Sequence, residues 1–315
     1  MSFLNKKIVS FEPKIFGLDL SDLSIKVMQL EKDGKMEKVR SYSSLDIPEG
    51  NIEDGKIINK EEVASLIKEA IKKAGPKKIN TKKVICSIPE SKAFLRIISI
   101  PKMEESEMGE AIKWEMEANI PMPIEQVYFD WQCLNWEEKN KQSVLTVAVS
   151  KDVVDDSVEV LEKAGLEVFG LEIESVATAR SLIRDTEAED KKASLIVDLG
   201  AQRSSFIMVV KGVPYFTSST SFSAESMSKE ISRGLKLNAK EAEEAKVNNG
   251  IENNNNDNPI FNSIKYLLEN LVSEIIGTLD FYEGMAKEKE KIERIILCGG
   301  GANLKGFIPY LTKKL

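Results

Sequence analysis

Histidine is absent from this 315-residue sequence. Its absence removes the commonest general base, every Ser-His or Cys-His nucleophile pair, and the usual ligand of zinc and iron. Any chemistry must therefore use carboxylates, lysines, hydroxyls and backbone amides. Phosphate chemistry with Mg²⁺ is compatible with that set, because it depends on positioning and on charge stabilisation.

Cysteine is scarce as well. The sequence has three, Cys86, Cys133 and Cys298, each in an apolar, strand-like context. An odd and scattered set gives neither a disulfide framework nor the spacing of metal ligands. We therefore expect buried thiols in a reducing compartment.

Long apolar runs are also missing, since none approaches the ~18–20 residues that cross a bilayer. The first ten residues contain lysines but lack the apolar stretch and the cleavage site of a signal peptide. The expected location is the cytoplasm.

An excess of basic residues is absent too. The net charge is −7 with lysine and glutamate interleaved, which argues against a nucleic-acid partner.

Two strand-turn-strand segments stand out in what remains. In the first, Ile15–Leu20 is an apolar run interrupted by Asp19, and Ser21–Ser24 predicts a turn. Ile25–Leu30 then alternates apolar and polar residues, as a half-buried strand does. Such a turn presents backbone N–H groups to an anion, and the hydroxyls of Ser21 and Ser24 add donors. Lys26 is placed to reach a phosphate, and Asp19 to hold Mg²⁺ through water.

The second segment repeats this device. Ala193–Leu199 predicts a strand that carries Asp198, and Gly200 stands in the turn, where a backbone without a Cβ approaches a ligand closely. A carboxylate in an apolar strand is costly unless it is paired, hydrogen-bonded or coordinated. Two such segments, one in each half, predict an internally duplicated α/β protein that holds a nucleotide by its phosphates.

A third element is Gly299-Gly300-Gly301, which follows a predicted strand at residues 293–298 and precedes a short helix. Consecutive glycines let the main chain pass close to a base or a phosphate, and a helix N-terminus favours anions. The pattern predicts a binding loop. A plain strand-to-helix turn is the alternative, although such a turn does not require three glycines.

The order of these elements resembles the superfamily of ATPases that contains actin, the DnaK chaperones and FtsA. The shared motifs are the two Asp-bearing hairpins, the Glu174–Ala179 and Ala242–Lys246 helix segments, and the triple glycine. Within that superfamily, nearly the whole chain resembles the PilM family of type IV pilus assembly proteins. The stretches that carry this resemblance are Ile47–Gly50, Asp54–Ile57, Ser99–Met103 and Glu115–Pro123.

The resemblance implies ATP as the ligand, with Mg²⁺. It implies catalytic roles for Asp19, Glu174 and Asp198, with Glu174 polarising the attacking water and the aspartates holding Mg²⁺ through water. The residues implied to contact the nucleotide are Ser21, Ser24 and Lys26 in the first phosphate loop, Gly200, Ser204 and Ser205 in the second, Glu243 and Lys246 at the ribose and adenine, and Gly299, Gly300, Gly301 and Asn303 in the adenosine loop.

The implied fold is α/β, a duplicated actin-like (ribonuclease H-like) ATPase fold with an inserted subdomain 1C of the FtsA and PilM type. Residues 1–90 are expected to form subdomain 1A, completed by residues 171–190. Residues 91–170, with a predicted β-α-β-β-α-β order, are expected to form the insert. Residues 191–315 are expected to form subdomains 2A and 2B. Family members usually continue through another strand and helix, so we expect this chain to be C-terminally truncated.

The resemblance further implies an assembly protein of the type IV pilus. It is expected to bind the cytoplasmic N-terminal tail of a PilN-like inner-membrane protein, to be peripheral to that membrane through this partner, and to contact other platform proteins or itself. Trp114, Ile120 and Met122 are candidates to line the groove for the tail, with a place in the core as the alternative. Two alternative functions stay open, an FtsA-like filament-forming cell-division ATPase and an ATPase or sugar kinase of the same fold.

Three residues depart from the family pattern. Ser21 stands where such proteins usually carry glycine, and Gln202 and Arg203 are bulky for a phosphate turn. The sequence therefore predicts ATP binding with weak or absent hydrolysis.

Overall fold

The computed structural model describes residues 13–34, 36–136, 139–183, 192–252, 258–285 and 290–315. The strands are β1 (Phe16–Leu20), β2 (Ser24–Asp33), β3 (Met36–Asp46), β4 (Ile52–Glu53), β5 (Lys56–Ile57), β6 (Gly75–Pro76), β7 (Lys83–Ile88), β8 (Ala93–Pro101), β9 (Val127–Cys133), β10 (Lys141–Ser150), β11 (Glu167–Ile173), β12 (Ala193–Leu199), β13 (Ser204–Val210), β14 (Val213–Thr220) and β15 (Ile292–Cys298). The helices are α1 (Lys60–Lys73), α2 (Glu105–Glu117), α3 (Lys151–Lys163), α4 (Glu174–Leu182), α5 (Ala224–Leu235), α6 (Ala239–Asn249), α7 (Pro259–Met285) and α8 (Phe307–Lys314).

These elements form two compact units. The first contains the described residues up to Phe94, together with Lys113–Asp130 and Ala148–Glu174. The second contains Leu95–Ile112, Trp131–Val147 and the described residues from Ser175 onwards. Within the described residues, no helix is both long enough and apolar enough to cross a membrane.

The first unit is built on a sheet with the order β11-β7-β1-β2-β3-β6. β2 shows why it forms, because Ile25 and Val27 are buried while Lys26 between them is exposed, the period of two expected of a strand. Helix α1 begins after Asn59, whose side chain accepts a hydrogen bond from the N–H of Glu62. The buried faces of α1 and α3 fill the core against this sheet.

The second unit is built on a sheet with the order β14-β13-β12-β15. Leu195 and Val197 of β12 face the core formed with α5, α6, α7 and α8, whereas Ile196 faces the other side, where Ala179 of α4 packs. A strand covered on both faces is apolar along its length. Asp198 is the exception, and it lies where β12 ends.

The two sheets share one arrangement. In each, the first strand is antiparallel to the second and parallel to a later strand, β7 in the first unit and β15 in the second. Asp19 lies opposite Lys26 in the first hairpin, and Asp198 lies opposite Ser205 in the second. The predicted internal duplication is therefore confirmed.

The region between the halves has the predicted order of elements, but these elements divide between two sheets. β8, β10 and β9 form a separate three-stranded sheet, whereas β11 pairs in parallel with β7. Val160 and Leu161 of α3 are buried in the core of the first unit. The compact β-α-β-β-α-β unit is therefore a wrong prediction, because periodicity does not show which sheet a strand joins. The subdomain boundaries at residues 91 and 170 stay a prediction.

Replacing Ile67 with alanine tests the core of the first unit. Ile67 on α1 is fully buried, so Ile67→Ala leaves a cavity and lowers the free energy of unfolding by about 2–5 kcal/mol. Ile58 is 52% exposed, and Ile58→Ala is expected to change stability by about 0.5 kcal/mol or less. Urea titrations followed by circular dichroism measure both, and equal effects would contradict this packing.

Candidate functional site

The first unit places two predicted site residues, Asp19 and Lys26, side by side at one end of its sheet. Asp19 is the penultimate residue of β1, and its Oδ2 accepts a hydrogen bond from Nζ of Lys26 at 3.0 Å. Its Oδ1 accepts a second hydrogen bond from Oγ of Ser87, the penultimate residue of β7, at 2.9 Å. The carboxyl ends of parallel strands are where α/β sheets bind ligands. The Asp19 side chain is 41% exposed, so it is oriented and still accessible.

The turn after Asp19 uses its own polar groups. The N–H of Ser21 donates to the carbonyl of Ser24 at 3.0 Å, and the two serine hydroxyls lie 3.0 Å apart. Oδ1 of Asp22 accepts a hydrogen bond from the N–H of Gly55 at 2.8 Å, which ties the turn to the β4–β5 hairpin. The turn is therefore closed by internal hydrogen bonds, and a phosphate must compete with them.

Glu174 lies at the same end of the first unit, directly after β11. Its Oε2 accepts a hydrogen bond from the N–H of Glu90 at 3.2 Å. Burial raises the pKa of the Cys86 thiol above its usual range, and the charges of Asp19 and Glu174 raise it further. Both carboxylates therefore lie near the end of β7, and the catalytic roles of Asp19 and Glu174 stay a prediction.

The second unit places Asp198 in the matching position. Asp198 lies opposite Ser205 on β13 and beside Cys298 on β15. Burial raises the pKa of Cys298 to about 12, and the charge of Asp198 and a hydrogen bond to it contribute. Gly299 has a φ of +79°, and a Cβ there would collide with Oδ1 of Asp198 and lie 2.6 Å from the carbonyl oxygen of Leu199. Glycine is thus required next to this carboxylate.

The turn after Asp198 is tied to the start of α5. A Cβ on Gly200 would lie 2.5 Å from the carbonyl oxygen of Arg203, so the turn needs glycine. The carbonyl of Gly200 accepts a hydrogen bond from the N–H of Ala224 at 3.0 Å. Ser204 is buried, and its hydroxyl donates to the carbonyl of Phe222 at 2.8 Å. The Ser204 hydroxyl therefore supports the turn, while Ser205 is the half-buried neighbour of Asp198.

Glu243 and Lys246 belong to a network between α5 and α6. The Lys246 ammonium donates to the carbonyl of Ala224 at 3.0 Å and to Oγ of Ser228 at 2.8 Å, and it lies 2.7 Å from Oε2 of Glu243. These contacts use its three protons. Partial burial would raise the pKa of Glu243, but hydrogen bonds from Lys246 and Ser228 hold it below its usual range. Lys246 thus orients Glu243.

The glycine loop presents bare backbone to solvent. A Cβ added to Gly300 would meet no atom within 4 Å, and this residue is exposed. Nδ2 of Asn303 donates to the carbonyl of Gly300 at 3.3 Å, which shapes the short 3₁₀ turn between them. Nζ of Lys305 donates to the carbonyl of Asn248 at 2.6 Å and links the loop to α6. The second unit therefore joins the glycine loop to the helix that carries Glu243.

The structure adds residues that the sequence prediction missed. Ser87 and Cys298 each contact one of the two aspartates, and Ser228 bonds both Glu243 and Lys246. A signal for Ser87 was available, since it is a polar residue at the end of an apolar strand. No sequence pattern distinguished Ser228 from other helical serines.

The two aspartate side chains fit a magnesium ion that is held mainly by the phosphates of a bound substrate and by water. In the part of the chain that the structure describes, no cluster of three or more carboxylate or thiol side chains is placed to hold a metal. Mg²⁺ keeps several waters and uses one or two carboxylates together with substrate phosphates. Asp19 and Asp198 are carboxylates of that kind, and the protein alone provides no complete metal site in the described residues.

The first unit also contains an apolar groove. It has a volume of about 310 Å³ and is lined by Lys113, Ile124, Glu125, Val127, Tyr128, Phe129 and Lys151. The hydroxyl of Tyr128 donates to Oδ1 of Asp155 at 3.2 Å, and Nζ of Lys151 lies 5.5 Å from the centre of the Tyr128 ring.

The residues predicted to line such a groove lie elsewhere. Trp114 is 70% exposed and Met122 is 39% exposed, whereas Ile120 is buried in the core. None of the three lines the groove at Tyr128. Ile120 thus follows the alternative reading, a place in the core.

Several solved structures share this architecture. The crystal structure of EutJ, an ethanolamine utilization protein from Carboxydothermus hydrogenoformans, is 14% identical with a TM-score of 0.57, over 97% of this chain and 83% of that chain. MreB5 of Spiroplasma citri is 14% identical with a TM-score of 0.52, over 96% of this chain and 90% of that chain. A PilM–PilN type IV pilus biogenesis complex is 26% identical with a TM-score of 0.81, over 96% of this chain and 86% of that chain.

The duplicated sheets, the paired aspartates and these likenesses define a protein with the actin-like ATPase fold, as expected. The model of the family described as type IV pilus assembly protein PilM matches residues 17–315. The chain belongs to the PilM family, which confirms the resemblance stated from its motifs.

The cysteines correct one expectation and give a test. Cys133 on β9 is exposed and Cys298 is half-buried, so the prediction of buried thiols is confirmed for Cys86 and is wrong for Cys133. A thiol reacts as its thiolate. Because the pKa values of Cys86 and Cys298 are raised, iodoacetamide at pH 8 is expected to label Cys133 in the folded protein and to spare the other two. Peptide mass spectrometry measures this, and rapid labelling of Cys298 would contradict the described environment.

Proposed function

We propose that this chain is a nucleotide-binding assembly protein of the type IV pilus inner-membrane platform. It acts at the cytoplasmic face of the membrane and is held there by a PilN-like membrane protein. The observation that carries the proposal is the likeness to a PilM–PilN complex over 96% of this chain, with a TM-score of 0.81.

ATP with Mg²⁺ is the proposed ligand. In the second unit, Gly300 offers exposed backbone to the adenosine, Glu243 is oriented towards a ribose, and Gly200 and Ser205 border the phosphates. Lys246 supports Glu243, and Ser204 supports the phosphate turn. Gly299, Gly301 and Asn303 shape the adenosine loop. Among the similar folds, the MreB5 structures are bound to AMPPNP and to ADP.

The first unit has proposed phosphate contacts of its own. Lys26 brings an ammonium to the phosphates, and Ser21 and Ser24 bring hydroxyls. Asp19, like Asp198 in the second unit, would hold Mg²⁺ through water, and the bound cation would neutralise phosphate charge. Glu174 holds a water for attack.

Slow hydrolysis is part of the proposal. The Ser21 N–H and hydroxyl both point to Ser24 within the turn. Those donors must be released before they stabilise a phosphoryl group, and preorganised donors are the ones that accelerate phosphoryl transfer. Binding without rapid turnover suits an assembly protein whose nucleotide maintains a conformation.

The groove at Tyr128 is the proposed binding site for the N-terminal tail of the PilN-like protein. The buried Ile124 and Val127 and the half-buried Phe129 line it together with charged residues of both signs, Lys113, Lys151 and Glu125. β9, which carries Tyr128 and Phe129, is an edge strand of its sheet. An extended segment with apolar side chains fits this chemistry.

Nucleotide binding is tested with Gly300→Ala. A Cβ at Gly300 meets nothing in the protein, so the variant is expected to fold normally while the methyl group overlaps the ligand. Calorimetry with Mg·ATP is expected to show at least about a tenfold loss of affinity. Gly277→Ala on α7 is the matched control, also in open space, and is expected to bind ATP like the unsubstituted protein. Absence of ATP binding by the unsubstituted protein refutes the nucleotide proposal.

Tail binding is tested with Tyr128→Ser. This change removes an aromatic ring from the groove, so affinity for a fluorescent peptide of the PilN-like protein's N-terminal tail is expected to fall about tenfold or more. Tyr266→Ser on α7 is the control, since that side chain is 72% exposed and outside the groove. Fluorescence anisotropy measures both, and equal affinities of the two variants would place the tail elsewhere.

A further inference from the structure

Ser87 connects the backbone of β1 to the carboxylate of Asp19. Its Oγ accepts a hydrogen bond from the N–H of Leu20 at 3.3 Å and donates to Oδ1 of Asp19 at 2.9 Å. A serine hydroxyl has one proton, so these two contacts assign its direction. The backbone of one strand and the side chain of the next thus hold a single orientation of the Asp19 carboxylate.

Cys298 has the same relation to Asp198. Leu18 lies beside Cys86 in the β1–β7 pairing, which puts Ser87 beside Asp19, and Asp198 lies directly beside Cys298 in the β12–β15 pairing. The Cys298 thiol donates a hydrogen bond to Asp198. The duplication therefore extends beyond the aspartates to a single-proton donor on the parallel neighbour strand.

The remaining faces of both carboxylates are also restricted. Oδ2 of Asp19 is held by Lys26 at 3.0 Å. Oδ1 of Asp198 lies so close to Gly299 that no Cβ fits there. A carboxylate restrained in this way loses less freedom when it orders the water shell of a cation, and hydrogen-bond partners of this kind tune metal ligands elsewhere.

We infer that Ser87 and Cys298 are matched positioning residues: within the first unit Ser87 orients Asp19, and within the second unit Cys298 orients Asp198, for the water shell of a nucleotide-bound cation. This inference rests on the proposed nucleotide binding. It also assigns Ser87 and Cys298 equivalent tasks despite their different chemistry, because the strand register makes each the neighbour of an aspartate.

A purely structural role makes a different prediction. A residue that only packs would change the affinity for ATP equally with and without Mg²⁺, or would change stability alone. A residue that orients a carboxylate for the cation changes the affinity only when Mg²⁺ is present. The ratio of the two dissociation constants therefore separates the roles.

The experiment measures ATP binding by calorimetry, in Mg²⁺ and in EDTA, for Ser87→Ala and Cys298→Ala in the full chain. In Mg²⁺ the affinity is expected to fall about tenfold or more, the usual effect of losing one hydrogen bond to a charged group. In EDTA it is expected to stay within about twofold. Exchanging the two donors provides the rescue, since Ser87→Cys and Cys298→Ser each keep a proton donor and are expected to restore most of the affinity.

Two control variants lack any contact with the aspartates. Ser43→Ala removes a hydroxyl of the same sheet that donates to the carbonyl of Ala70 at 2.6 Å, and Cys133→Ala removes an exposed thiol. Both are expected to bind Mg·ATP like the unsubstituted protein. Thermal unfolding of each variant shows that it is folded, and Cys298→Val, which also lacks a donor, replaces Cys298→Ala if the latter is not.

Different results refute different claims. If the unsubstituted protein does not bind Mg·ATP, the proposed function fails and this inference fails with it. If it binds but the alanine variants bind equally well, or lose affinity equally in EDTA, the positioning role alone is overturned. Loss of affinity without rescue by Ser87→Cys and Cys298→Ser also overturns it. The size of the side chain, and not the proton that it donates, would then determine the affinity.

Discussion

In both halves of the chain an antiparallel hairpin is flanked by a parallel strand, and an aspartate is the penultimate residue of the shared strand. Its carboxylate faces a residue of the hairpin on one side, Lys26 or Ser205, and a residue of the parallel strand on the other. A carboxylate among apolar strands is costly without such partners. The backbone register that pairs the strands is thus also what places two oriented carboxylates at the ends of two sheets.

The surrounding loops adapt to that constraint. Gly299 is required because Asp198 occupies the space of its Cβ, and Gly200 is required because the turn brings the carbonyl of Arg203 against it. Gly300 differs, since nothing in the protein fills the space beside it. Adjacent glycines therefore serve unlike purposes, and only Gly300 leaves room for a ligand's atoms.

Much of the fold was predictable because its signals are local. The alternation of β2 and the cap at Asn59 lie within a few residues of what they specify, so the hairpin and α1 were found from the sequence. The sheet that β11 joins was not predictable from the sequence, because its partner β7 lies far away in the chain. At the site, Ser204 was predicted to contact a ligand, but its hydroxyl holds the carbonyl of Phe222. A hydroxyl has several possible partners, and the sequence does not choose among them.

The sequence by itself determined the duplicated hairpins, the positions of Asp19 and Asp198 within them, the glycine loop and the PilM family. These depend on residue order, periodicity and short motifs, which are properties of a chain before it folds. Tertiary structure alone decided that Ser87 and Cys298 become the neighbours of the aspartates and that three protein acceptors surround the Lys246 ammonium. The physical reason is that a hydrogen bond needs two groups within about 3 Å. Only the packing of distant strands and helices brings these groups that close.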